Sequence, residues 1–114
     1  MNETLRDIHG MLLDQHDALS KRLGKTTDSQ TARSILIEMQ EILHRIDLVQ
    51  GLLFRQTSEA LESTLADIQQ ANQRLSVAIE TMEDSTEFLK SASSYLETVD
   101  RAIDIAKLLA PLAA

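Results

Sequence analysis

Residues 35–54 read ILIEMQEILHRIDLVQGLLF, and the order of apolar and polar residues in this stretch decides the fold. At about 100° per residue, Ile35, Met39, Ile42, Ile46, Val49 and Leu53 form one helical stripe, and Leu36, Leu43 and Phe54 flank it. Ile37, Leu48 and Leu52 project to the opposite side. A helix that is apolar on more than one face packs centrally among other helices or meets another chain, and the remaining sequence supplies helices for it to pack against.

Upstream, Asn2 suits an N-cap and Glu3 the positive end of the helix dipole. Leu5, Ile8, Leu12, Leu19 and Leu23 then recur at helical spacing up to Gly24, a residue suited to a left-handed C-cap. The polar run Lys25–Ser29 forms a short loop, with Asp28 or Ser29 as the next cap. Downstream, Leu61, Leu65, Ile68, Asn72, Leu75, Ile79 and Met82 alternate by four and three, the spacing of a heptad seam. Asn72 is the polar member of that seam and the expected setter of register. At Asp84 two signals compete. Asp84-Ser85-Thr86-Glu87 is a capping box that starts a new helix, whereas the heptad phase runs on through Leu89, Ser93, Leu96 and Ile103 as one helix of about 50 residues. A turn is the favoured reading, because it yields helices of comparable length that pack side by side. Pro111 ends the last of them.

The expectation is therefore an all-α, antiparallel bundle of about four helices in a single domain, residues 1–114, with helices at about 3–23, 29–55, 58–83 and 85–110 and coiled-coil-like heptads in the C-terminal half. Composition agrees: 114 residues with one Pro, three Gly and 3% aromatics suit long helices and disfavour a sheet.

The net charge of −7 disfavours nucleic acid and anionic membrane surfaces as partners, since both attract positive fields. The absence of cysteine removes disulfides and thiolate chemistry. The polar, acidic start MNETLRDIHG lacks a secretory pattern, which gives a cytoplasmic location as the expectation.

Candidate chemistry is sparse. Glu41 and His44 have the Glu-x-x-His spacing of helical di-iron sites, but such sites require two pairs and two further Glu, and His44 projects away from the main stripe. His9 and His16 share a face, and a histidine in a packed seam can act as a pH switch. Gly24-Lys25-Thr26 imitates the end of a phosphate-binding loop without the preceding strand or first Gly. No Gly-x-Ser-x-Gly turn is present, and no enzyme or cofactor is expected.

The expected function is self-association, as a dimer, and binding of a protein partner through surplus apolar helix surface, carried by Ile37, Leu48 and Leu52 and by a second patch of Leu108, Leu109 and Leu112. A membrane-acting component, pore-forming or membrane-associated, is the competing reading, because residues 35–54 and the C-terminal end are apolar. Charges within both segments oppose direct spanning. A helical metal-binding protein is the third reading.

Overall fold

The computed structural model describes residues 1–82 and 84–112. Four helices follow one another in the chain: α1 Glu3–Leu23, α2 Ser29–Gln50, α3 Glu59–Glu80 and α4 Ser85–Lys107. Each starts on a side-chain cap. Asn2 accepts from Leu5 N at 3.1 Å, Asp28 from Thr31 N at 2.9 Å, Ser58 from Leu61 N at 3.1 Å and Asp84 from Thr86 N at 2.8 Å. These bonds satisfy amides that a helix leaves open at its first turn. The Thr31 hydroxyl, with the Thr31 amide, holds the Asp28 carboxyl below its ordinary value.

Consecutive helices run antiparallel, forming two hairpins, α1–α2 and α3–α4. These lie side by side, with α1 packed on α3 and α2 on α4. The cross-hairpin neighbours are parallel. Going up α1, Gln15 meets Asn72 and Arg22 meets Met82; Arg45 on α2 meets Asp100 on α4, and further along Arg55 meets Leu109. The bundle is elongated, 50 × 22 × 16 Å.

Its core is one cluster drawn from all four helices, including Leu5, Ile8, Leu12, Ile35, Ile42, Leu61, Ile68, Leu75, Phe88, Tyr95 and Val99. The Tyr95 hydroxyl is buried without a partner among the described residues, and desolvation pushes its pKa far above the usual phenol range.

Several boundaries differ from expectation. Helix α2 stops at Gln50 instead of about 55. Beyond it Leu52 N donates to Val49 O at 2.9 Å and Arg55 N to Leu52 O at 3.0 Å, the i→i−3 bonding of a tighter turn. In such a turn side chains three apart stand over one another, so Leu52 follows buried Val49 into the core. Similarly, α4 ends at Lys107, with Leu108 N bonded to Ile105 O at 3.1 Å.

Gly24 is not left-handed. Its φ is −63°, and Lys25 N and Thr26 N reach Arg22 O and Leu23 O at 3.1 Å each, closing the end of α1 without a positive φ. In α3 the seam is shifted at two positions. Thr64 and Ala71 are buried, whereas Leu65 and Asn72 are only half-buried and lie on the flank toward α1. The turn at Asp84 also shifts the phase: α4 buries Phe88, Ala92 and Tyr95 and leaves Leu89 and Ser93 exposed, while Leu96 and Ile103 of the continuing heptads stay buried.

The lower end of the bundle is fastened by its termini. Arg55 and Pro111 form an isolated antiparallel bridge, flanked by Gln56 N to Ala110 O at 2.8 Å and Leu112 N to Phe54 O at 2.7 Å. Asn2 joins them: its amide nitrogen donates to Leu53 O at 2.8 Å, and its Nδ2 lies 3.2 Å from both Arg55 O and Gln56 O.

Candidate interaction surface

Three exposed leucines lie on the outer face of the α1–α2 hairpin. On the helical wheel Leu13 projects from α1 outward on the α2 side, and Leu36 and Leu43 project from α2 outward on the α1 side. They are 47, 48 and 49% exposed, respectively. The hairpin register, with Asn2 beside Leu53, sets Leu13 about level with residue 42. The three leucines therefore share one stretch of surface, floored by half-buried Met39. Gly10 also faces outward here, and a Cβ built on it meets nothing within 4 Å, so backbone is open at this point.

Charges frame the leucines. On α1, Arg6 lies 3.8 Å from Glu3 and Lys21 lies 3.0 Å from Asp17. On α2, Arg33 and Asp47 lie on either side of Gln40 and make no side-chain ion pair among the described residues. His9 and His16 are half-buried on the flank of α1 toward α2, and His9 Nε2 is buried without a partner among the described residues.

Between α2 and α4 lies a groove lined by Glu38, Glu41, Arg45, Ser93, Leu96, Glu97 and Asp100. Arg45 fastens its two walls, with Nε to Asp100 Oδ1 at 2.8 Å, Nη2 to Asp100 Oδ2 at 2.9 Å and Nη1 to Glu41 Oε2 at 2.9 Å. A planar guanidinium meeting one carboxylate through two bonds holds the helices in register as well as together. Glu38 Oε2 is buried without a partner among the described residues, and burial, assisted by Glu41, raises its pKa.

The residues expected to carry contacts fall in three environments. Ile37 is 50% exposed, on the side of α2 away from α1. Leu48 is half-buried and packs against the core, as does Leu109, while Leu52 is 7% exposed and part of the core. Leu52 therefore belongs to no outer patch, and its place in an apolar face opposite the main stripe is corrected by the tight turn after Gln50. Leu108 and Leu112 are exposed at the lower end, and Leu112 is bonded to the Phe54 carbonyl. Asn72 meets Gln15 of α1, a contact within this chain. His44 is exposed, and Glu41 is engaged with Arg45. The described residues contain no group of three or more metal-ligating side chains and no helix long and apolar enough to cross a membrane.

Sequence reasoning noted Leu36 and Leu43 only as flanks of a buried stripe and passed over Leu13. The available signal was the seven-residue separation of Leu36 and Leu43, which places both on one line outside the stripe. No family model matches the chain, and no match was found among curated proteins or solved structures.

Proposed function

We propose that this chain is a non-enzymatic helical association module that engages another protein through the outer face of its α1–α2 hairpin. The observation that supports this reading is the grouping of Leu13, Leu36 and Leu43, each about half exposed, on two helices whose opposite faces are held in the core. Isolated surface leucines require no explanation, but a contiguous apolar patch ringed by charges is a signature of contact surfaces. Rigid helices limit the entropy lost on docking, and Gly10 lets a partner approach the backbone closely.

The test is Leu43→Glu in the full chain, followed by light scattering and thermal melting. Because Leu43 is half exposed and outside the core, the substitution leaves the melting temperature within a few degrees of the parent while abolishing association. Association that persists, or a collapse of stability like that expected of Ile46→Glu, removes this face from the role.

A further inference from the structure

We infer that the occupant of the α1–α2 face is a second copy of this chain, docked antiparallel about a two-fold axis that crosses α2 at Gln40. This rests on the reading of that face as an association surface, and adds the identity and orientation of what covers it.

A chain of net charge −7 repels its own copies over most of its surface. The outer hairpin face is different. Arg6, Lys21 and Arg33 balance Glu3, Asp17 and Asp47, and two of these pairs are already made within α1. Two copies can meet here without adding like charge. Arg33 and Asp47, the members with no ion pair among the described residues, stand seven residues before and seven after Gln40, within about 40° of each other on the wheel. That arrangement is self-complementary. Turning a second α2 end for end about Gln40 sets Arg33 of each copy opposite Asp47 of the other, and brings Leu36 and Ile37 against Leu43 and His44. An isologous contact of this kind closes as a dimer.

Size is also adequate. A helix of α2's 22 residues is about 33 Å long, and two packed helices present a width of about 20 Å. The resulting face of roughly 600–700 Å² approaches the ~800 Å² per partner of a standard interface.

Charge reversal with rescue tests the geometry. Arg33→Glu and Asp47→Arg are made singly and together in the full chain, and dimer dissociation is measured by analytical ultracentrifugation, with circular dichroism confirming the helical fold. Each single reversal places like charges together at two symmetry-related points and weakens the dimer about tenfold. The double reversal restores it to within about threefold of the parent. Both effects fade at 1 M salt, where the screening length is about 3 Å. If the parent dimerises and Leu43→Glu abolishes this, but the double reversal is no tighter than the singles, the two-fold geometry is wrong while the face remains an association surface. A parent chain that stays monomeric at high concentration overturns the second copy as occupant and leaves the face to a different protein.

Discussion

Nε2 of Gln15 on α1 donates to Oδ1 of Asn72 on α3 at 2.9 Å, and the same nitrogen lies 2.8 Å from Ser76 Oγ and 3.1 Å from the Asn72 carbonyl oxygen. Gln15 is 2% exposed, and its Oε1 has no partner among the described residues. The bundle thus carries a polar contact between two parallel helices that satisfies one end of a buried amide and leaves the other open. Asn72→Leu removes one acceptor and lowers stability by about 1 kcal/mol. Replacing both residues, Gln15→Leu with Asn72→Leu, removes the buried amide altogether and returns stability to the parent value or above it. Urea melts of the two variants check this; a single variant as stable as the parent would show that Ser76 and the backbone carbonyl suffice for Gln15.

Gly10 sits inside α1 with open space around its absent Cβ. Gly10→Ala lowers the conformational entropy of the unfolded chain and inserts no clash, so the variant is more stable by about 1 kcal/mol. Thermal melting at high dilution, where intermolecular contacts contribute little, reads the effect directly. An unchanged or lower midpoint would mean that the backbone at Gly10 does not remain helical.

Asp84 decides whether residues 59–107 act as two helices or one. Its carboxylate caps α4 through Thr86 N, and Asp84→Ala costs about 1 kcal/mol. In an uninterrupted helix the same change would be neutral or mildly stabilising, because alanine is the better interior residue. A denaturant titration distinguishes the two by sign.

Glu38 gives the bundle a pH dependence. Burial raises its folded-state pKa above the ordinary value, with Glu41 adding to the shift and Arg45 opposing it. The folded state therefore holds the Glu38 proton more tightly than the unfolded state, and stability falls as pH rises from the ordinary carboxyl value through the folded one. Glu38→Gln keeps a polar side chain and removes the charge, so its melting temperature exceeds that of the parent at pH 7 and the gap closes near pH 4. A gap independent of pH would assign the change to packing.

The heptad and stripe spacing around Ile35, Ile42, Leu61 and Leu75, together with the caps Asn2 and Asp84, made the four-helix organisation legible in the sequence, because these features act within a few residues of themselves. What escaped depends on contacts half a chain away or on departures from 100° geometry. Leu52 entered the core because the backbone tightened after Gln50, which a helical wheel does not represent. Asn72 keeps the heptad spacing of a seam, and only the parallel packing of α1 on α3 supplies Gln15 as its partner. Leu13 stands alone in the spacing of α1, because its neighbours on the surface, Leu36 and Leu43, belong to another helix running the opposite way.

The fastening at the lower end has a mechanical consequence. Asn2 is bonded to Leu53, Arg55 and Gln56, and the segment Ala110–Leu112 is bonded to Phe54 and Gln56, so residues 2 and 110–112 grip the same short linker. A pulling force applied between residues 2 and 112 travels through that linker and a handful of hydrogen bonds, bypassing all four helices. The load must rupture this latch before any helix feels tension, and a stretching experiment would register it as a first, separate break at small extension.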